Sequence, residues 1–272
     1  MAEPAAARSD TLGPRTTISP LGEVRAAITF LTRLPVRREA DDLDRTGAAA
    51  FGIIGSAIGL VGAVPIVALG ERLPVPAAVL ALLVMVLVTG GLHLDGLADT
   101  ADALAAPTPD AADRARTDPR AGPAGVTAIV LDLLLGASLL AAIAAADTRL
   151  AAAALVVAGA ASRAATPIAA RTLGWRRSEP RPGLGAWFVT RLRPGDVAAA
   201  IATTLAVTAL AAIVTGDPTV PIGAAGGLVV ASLVSSAIVS LRGGLDGDGY
   251  GAIVEIVFVA VLAGIAVQIA VP

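Results

Sequence analysis

Three aspartates in one short stretch of the chain have the residue type and spacing of a metal-binding group. Asp95, Asp99 and Asp102 lie within residues 90–103, which read GGLHLDGLADTADA, at spacings of four and three. In an α-helix such residues share one face, within an arc of roughly 60°. Carboxylate oxygens suit hard divalent cations such as Mg²⁺ or Mn²⁺. The stretch therefore predicts a metal site, with a solvated acidic face as the alternative.

A glycine-rich loop near the C-terminus holds two more carboxylates. Residues 242–251 read RGGLDGDGYG, with Asp246 and Asp248 among five glycines. Glycine lets backbone approach a ligand closely, and successive N–H groups can cradle an anion. The Gly-Lys-Ser/Thr ending of a Walker motif is absent. The loop is either a tight turn or, opposite the first Asp cluster, the remainder of a metal site.

A basic segment follows the first Asp cluster and contains Arg114, Arg116 and Arg120, with Asp118 among them. Arginine binds phosphate oxygens bidentately, and a metal with Arg is a common way to hold a transferring phosphoryl group. Arginines at a membrane surface also act as topological anchors. Both interpretations remain open from the sequence.

The composition indicates that membrane-spanning helices position these residues. Of 272 residues, 56% are hydrophobic and only 15% are charged, and the mean hydropathy is +0.79; soluble proteins have about 25% charged residues. We predict an all-α, polytopic transmembrane bundle of about seven spans, with six to eight as the range. The predicted spans are 48–69, 74–92, 123–146, 150–170, 196–214, 219–241 and 251–271.

The remaining segments and the composition limit the other possibilities. Residues 1–19 are predicted to be a disordered tail, and 20–272 a single integral-membrane domain. The helix predicted at 21–34 either lies at the interface or opens into the first span. The absence of Cys excludes thiolate metal sites and Cys nucleophiles. No basic patch with interleaved aromatics indicates nucleic acid.

The distribution of arginine predicts the orientation. Loops on the N-terminal side of the predicted membrane hold 17 Arg, and the opposite loops hold only Arg72 and Arg149. The positive-inside rule then places the N-terminus and the three polar loops, 93–122, 171–195 and 242–250, in the cytoplasm. We expect the chemistry to face the cytoplasm.

Three charged residues fall inside predicted spans. Asp132 and Arg163 lie at similar depths on consecutive spans, and Glu255 is one turn into the last span. A charged residue at the centre of a span costs roughly 2.5–3.5 kcal/mol on insertion scales, so such a residue usually forms an ion pair or has a functional role. We predict an Asp132–Arg163 ion pair, with Glu255 as the alternative partner. His93, the only His, is either a structural residue or part of the site.

These segments together resemble the cobalamin synthase family, the adenosylcobinamide-GDP ribazoletransferases. The most specific match is the run His93-Leu94-Asp95-Gly96-Leu97-Ala98-Asp99-Thr100. Weaker matches follow in order along nearly the whole chain: Phe30-Leu31-Thr32-Arg33-Leu34-Pro35, Asp102, Asp118 with Arg120 and Gly122, Ser162-Arg163, Gly183-Leu184-Gly185, Gly243-Gly244, Gly247-Asp248, Gly251-Ala252 and Glu255. Asp246 stands where the family usually has Thr.

The resemblance implies a multi-pass enzyme of the inner (plasma) membrane in cobalamin biosynthesis. Such an enzyme joins adenosylcobinamide-GDP to α-ribazole or its 5′-phosphate and releases GMP, with Mg²⁺ as cofactor. The resemblance implies catalytic and metal-binding roles for Asp95, Asp99, Asp102 and Asp248. The substrate-binding residues it implies are Arg33, His93, Asp118, Arg120, Arg163, Gly247 and Glu255. It leaves open whether other corrinoid-pathway proteins join the enzyme at the membrane.

Two other classes of membrane protein are alternatives. A CDP-alcohol phosphotransferase also uses an Asp-rich helix and a metal, but its Asp-Gly-x-x-Ala-Arg pattern is not met, because Ala98 follows Gly96 after one residue and precedes Asp99. An ion-coupled transporter binds its ion near the bilayer midplane in broken helices. Here the carboxylates cluster at the edge of the predicted spans.

Overall fold

The computed structural model describes residues 19–37, 39, 45–118, 120–173 and 183–270. Within these ranges the chain is all-α, with eleven helices, a 3₁₀ turn at Ala48–Ala50 and no strand. The helices are α1 Pro20–Leu31, α2 Phe51–Leu69, α3 Pro74–Thr89, α4 Leu92–Ala105, α5 Pro109–Thr117, α6 Pro123–Ala146, α7 Thr148–Thr172, α8 Leu184–Arg191, α9 Pro194–Thr215, α10 Thr219–Arg242 and α11 Gly247–Ala270. The predicted fold class is confirmed, and residues 1–18 of the predicted tail lie outside the described residues.

Six helices are long and apolar enough to cross a bilayer: α2 with its preceding turn, α6, α7, α9, α10 and α11. Each coincides with a predicted span to within a few residues. The other predicted span, 74–92, divides into α3 and α4, whose axes differ by 94°. α3 has 16 residues, or roughly 24 Å of helix, against a hydrocarbon core of about 30 Å. The count is therefore six, or seven if the bent pair is one span.

The short helix α1 precedes the spans and has 12 residues, too few to cross a bilayer. Ser19 caps it, since the Ser19 hydroxyl accepts a hydrogen bond from the Gly22 N–H at 3.3 Å. A buried ion pair of 3.2 Å joins Glu23 to Arg45, just before α2. α1 is thereby fixed against the bundle near the start of the first span.

Small residues let the spanning helices approach closely. A Cβ atom added to Gly55 of α2 would lie 2.1 Å from the Gly159 carbonyl oxygen of α7, so no side chain fits there. Gly223 and Gly227 of α10 meet the α11 backbone in the same way. Helices in lipid lack a hydrophobic driving force for association, and backbone contact through small residues replaces it.

The segments that contain the polar motifs lie together at one end of the bundle. Phe30, Phe51, Phe188 and Tyr250 form an aromatic cluster there, with adjacent ring centroids 5.5–6.5 Å apart. The cluster joins the end of α1, the start of α2, α8 and the start of α11. We call this the α4 end, because α4 lies across it.

Candidate active site

A pair of glycines turns the chain from α3 into α4. Gly90 and Gly91 have φ values of +71° and +73°, a left-handed conformation that costs other residues roughly 1–2 kcal/mol each. The Gly90 N–H still donates to the Val86 carbonyl oxygen at 2.7 Å, which closes the last turn of α3. α4 then runs across the bundle end instead of continuing as a span, and the Asp cluster is placed on this crossing helix.

α4 packs directly on the first turn of α11 through two further glycines. A Cβ atom on Gly96 would lie 2.7 Å from the Asp248 carbonyl oxygen and 3.0 Å from the Gly251 Cα. This backbone contact brings Asp248 beside the aspartates of α4. The predicted approach of the glycine-rich loop to the first Asp cluster is therefore present.

The carboxylates of the two segments are electrostatically coupled. Burial and, after it, the nearby negative charges of Asp248, Asp95 and Asp102 together raise the pKa of Asp99 to about 6, while Arg116 acts in the opposite direction. Asp99, Asp102 and Asp248 are half-buried, and Asp95 is exposed. Like charges held this close favour a bound cation or proton among them.

Asp102 is turned toward the start of α6. Its two carboxylate oxygens accept hydrogen bonds from the backbone N–H groups of Gly122, at 2.7 Å, and Gly125, at 2.8 Å. A carboxylate in this position satisfies the free N–H groups of a helix N-terminus and complements the helix dipole. Asp102 thus fixes α6 against α4, a contact that its sequence spacing did not indicate.

A second ionic network, centred on Asp246, holds the glycine-rich loop. The fully buried Asp246 accepts hydrogen bonds from Arg242 Nη2 at 2.6 Å and from the Gly249 N–H at 2.8 Å. Arg116 of α5 lies 2.9 Å from Asp246 and 3.6 Å from Asp248. Arg242 also donates to Thr100 of α4 at 3.2 Å. The network joins α4, α5, α10 and the start of α11. The guanidinium of Arg116 also lies close enough to Asp248 to offset part of its negative charge.

Arg242 was not among the predicted site residues, and Arg116 and Asp246 were predicted as site residues only with a topological anchor and a tight turn as the alternatives. The signal for Asp246 was its position before α11, where an Asp side chain commonly caps the first N–H groups of a helix. Arg242 precedes Asp246 by four residues, on the last turn of α10. Arg116 is separated from both by more than a hundred residues, and the sequence contained no signal for this contact.

A cavity of about 250 Å³ opens beside the carboxylates. Residues of α1, α4, α5, α7, α8 and α11 line it: Phe30, Leu31, Leu92, His93, Asp95, Gly96, Arg116, Thr166, Gly183, Leu184, Gly185, Phe188, Gly247, Asp248, Tyr250 and Gly251. Four predicted site residues, His93, Asp95, Gly247 and Asp248, are among them. Burial, with the charge of Arg163, lowers the pKa of His93 to about 3, so its imidazole is neutral.

Two more predicted residues lie away from this cavity, on the surface. Asp118 and Arg120 bind each other, with Arg120 Nε and Nη2 donating to the two Asp118 oxygens at 3.0 and 2.9 Å. These bonds lower the pKa of Asp118 to about 2. The Arg120 side chain is 85% exposed. Arg33 instead lines an open cleft of about 600 Å³, which shares Asp95 with the cavity.

The buried charges of the spans form a separate group deeper in the bundle. Asp132, Arg163 and Glu255 line a small cavity of about 30 Å³. The predicted Asp132–Arg163 ion pair is wrong: Arg163 Nη1 donates to Ser162 Oγ at 2.9 Å, and its guanidinium lies 5.9 Å from the Phe258 ring centroid. The guanidinium is directed toward α11 instead of α6, and the cavity between the groups has room for a water molecule.

No three His, Asp or Glu side chains within the described ranges are gathered closely enough to hold a metal by themselves. A Mg²⁺ site commonly takes only one or two protein carboxylates and completes its shell with substrate phosphate oxygens and water. Asp95, Asp99 and Asp248 fit such a site in donor type. Burial is the main cause of the raised pKa of Asp99, and a cation would relieve the added repulsion from Asp248 and Asp95.

Residues 23–266 match the family model described as cobalamin-5-phosphate synthase, CobS. Similar proteins named adenosylcobinamide-GDP ribazoletransferase come from Azorhizobium caulinodans, Methanocella arvoryzae and Pseudomonas aeruginosa. The Azorhizobium protein is 37% identical to the chain, over 90% of the chain and 95% of its own length. The Methanocella protein is 35% identical, over 89% of the chain and 94% of its own length. The Pseudomonas protein is 33% identical, over 90% of the chain and 98% of its own length. No solved structure matches the chain. The resemblance inferred from the motifs is confirmed, and the chain belongs to the cobalamin-5-phosphate synthase family.

Proposed function

We propose that this chain transfers the adenosylcobinamide phosphate moiety of adenosylcobinamide-GDP to α-ribazole or its 5′-phosphate and releases GMP. The observation that carries the proposal is the meeting of Asp95, Asp248 and Arg116 in one cavity of a chain whose relatives bear the name of this activity. A ribazole hydroxyl oxygen forms a bond to phosphorus, and the bond from that phosphorus to GMP breaks. Such a transfer depends on alignment and charge neutralisation more than on covalent help from the protein.

Mg²⁺ is the cofactor in this proposal, with one or two of the carboxylates of Asp95, Asp99 and Asp248 as its protein ligands. Bound there, the ion would neutralise the diphosphate oxygens and align them for displacement. Asp102 contributes differently, because both of its oxygens already accept backbone N–H groups of α6. It holds α4 against α6 and so keeps the other carboxylates in place.

Arg116 is the cation we assign to the phosphate oxygens of the departing GMP. It is the only arginine among the described residues that line the cavity. Asp246 orients it through a 2.9 Å contact, and a planar guanidinium can bind two phosphate oxygens at once. Arg120, which the resemblance implied for this purpose, is directed into solvent.

The open cleft lined by Arg33 is the site we assign to the bulk of adenosylcobinamide-GDP. Its volume of about 600 Å³ exceeds that of the cavity, and the two spaces meet at Asp95. The diphosphate would then lie over α4, between the cleft and the cavity. Arg163 and Glu255 line the small cavity inside the bundle, next to α4, and would help to hold α4 in position.

The site faces the cytoplasm in this proposal, in the inner (plasma) membrane. The support is the 17 to 2 arginine asymmetry of the sequence. The start of α6, α8 and the start of α11, which adjoin the arginine-rich loops, all lie at the α4 end. The lipid bilayer surrounds the spans, and other corrinoid-pathway proteins would approach from this end.

The test is GMP release by the purified protein in lipid nanodiscs with Mg²⁺. We expect GMP only when adenosylcobinamide-GDP and α-ribazole are both present, and none after removal of divalent ions by EDTA. GMP release at the same rate without α-ribazole would identify a hydrolase, and no release with both substrates would contradict the proposal. A CDP-alcohol with an acceptor alcohol is the control, and it should give no CMP.

A further inference from the structure

The cavity has an aromatic wall that neither metal binding nor phosphate binding uses. Phe30 and Phe188 have ring centroids 5.7 Å apart, and Phe188 and Tyr250 are 6.5 Å apart. All three line the cavity. Phe188 is 1% exposed and Tyr250 is 4% exposed, whereas Phe30 is half-buried, so Phe30 provides most of the accessible ring surface of this wall. Aromatic rings in these tilted arrangements suit a further flat ring.

One lining residue of this cavity, His93, has a buried polar atom that lacks a partner. His93 is 5% exposed, and its Nδ1 makes no hydrogen bond to any residue that the structure describes. A buried polar atom without a partner is unfavourable. Thr166, another buried residue that has a hydroxyl group, also lines the cavity. A ligand in the cavity that carries hydroxyl groups would satisfy His93.

We infer that this cavity is the binding site for the acceptor, a nucleoside with a flat, largely apolar fused-ring base. The base lies against Phe30, Phe188 and Tyr250, and its ribose meets His93, with a hydroxyl directed to Asp95 and Asp248. The inference rests on the proposed function, in which α-ribazole, a benzimidazole nucleoside, is the acceptor. It places the nucleophilic hydroxyl inside the cavity and the diphosphate at the cavity mouth, between the cleft and Arg116.

Size and polarity separate the acceptor from the other substrate. A volume of about 250 Å³ is close to the lower end of the roughly 300–1,000 Å³ typical of small-molecule pockets, so it suits a nucleoside, whereas a corrin ring with its nucleotide is several times larger and does not fit. The guanine of adenosylcobinamide-GDP has several edge donors and acceptors, and an aromatic wall would leave them unpaired. The benzimidazole ring presents mostly apolar edges.

The test compares Phe188→Leu and Phe30→Leu with the control Phe51→Leu, in nanodiscs. Phe51 belongs to the same aromatic cluster, 5.5 Å from Phe30 and 5.7 Å from Phe188, but does not line the cavity. We expect each cavity variant to raise the KM for α-ribazole about tenfold, since stacking of one base on one ring has this scale. In Phe188→Leu the KM for adenosylcobinamide-GDP should change less than twofold, whereas in Phe30→Leu it should rise as well, because Phe30 also lines the cleft. Phe51→Leu should leave both constants unchanged.

Three results would overturn the inference: an unchanged KM for α-ribazole in both cavity variants, an equal rise in Phe51→Leu, or a rise in the KM for adenosylcobinamide-GDP instead. Calorimetric titration of the wild-type protein with α-ribazole and with guanosine gives a second measurement that needs no variant. Binding of α-ribazole alone supports the inference, and binding of guanosine alone contradicts it. Because the kinetic constants are measured on active enzyme, these outcomes differ from failure of the proposed function, which would show as no GMP release by the wild type.

Discussion

The contact of Gly96 with Asp248 makes Gly96→Ala the most informative single substitution at the site. The added methyl would lie 2.7 Å from the Asp248 carbonyl oxygen, whereas ordinary contact begins near 3.4 Å. Because both neighbouring atoms are backbone, α4 and α11 must separate by about 0.7 Å, the difference between these two distances. Asp248 then moves away from Asp95 and Asp99. A displacement near 1 Å at a reacting centre costs about 10²-fold in rate.

The stability of this variant should change much less than its activity. Overpacking costs about 1–3 kcal/mol, and replacing Gly by Ala inside a helix returns about 1 kcal/mol. We therefore expect a net loss of roughly 0–2 kcal/mol and a GMP release rate about 10²-fold lower. Rates and thermal unfolding in detergent are measured on the same preparations.

The matched control is Gly226→Ala on α10, where an added methyl meets nothing within 4 Å. It should leave the rate unchanged and should not lower the unfolding temperature. If Gly96→Ala turns over at the wild-type rate while remaining folded, the close crossing of α4 and α11 does not position the carboxylates. The account of how Asp248 joins the site would then be wrong.

Three further expectations follow from the same structure. Asp102→Asn should lower the free energy of unfolding by about 1 kcal/mol, because one of the two N–H groups at the start of α6 loses its charged acceptor; an unchanged unfolding midpoint would contradict this. Arg116→Gln should reduce GMP release about 10²-fold, the scale of losing one electrostatic group, and an unchanged rate would remove Arg116 from the mechanism. Cys introduced at Ala105 or Thr190 should be protected from an impermeant thiol reagent in intact cells, and Cys at Ala146 should react; the reverse pattern would invert the topology.

The spans and the Asp cluster were predictable because each depends on local order in the sequence. Long apolar runs define membrane helices, and the i, i+4, i+7 spacing of Asp95, Asp99 and Asp102 requires only a helix. The bend at Gly90 and Gly91 was not predicted, since the apolar run continues to the glycines and gives no sign of a 94° turn. The predicted span at 74–92 therefore became a short helix and a bend.

The contacts of individual charged residues could not be predicted, because they depend on segments far apart in the chain. Asp102 binds N–H groups twenty and more residues away, and Arg116 reaches Asp246 on another helix. Two neighbouring arginines, Arg116 and Arg120, differ in that one turns into the cavity and the other into solvent. The composition and spacing of this segment of the sequence do not indicate which of the two arginines turns into the cavity.

The most direct test of the central claim is the Mg²⁺ dependence of GMP release in Asp95→Asn and Asp99→Asn. Asn keeps the size of Asp and removes its charge, so each variant should insert and fold, yet release GMP at least ~10²-fold more slowly at saturating Mg²⁺. Asp147→Asn is the control, because Asp147 caps α7 at the opposite end of the bundle and Asn caps equally well. If both the Asp95 and the Asp99 variant fold and turn over with an unchanged rate and Mg²⁺ dependence, the aspartates form only a solvated acidic face, and the proposed mechanism is wrong.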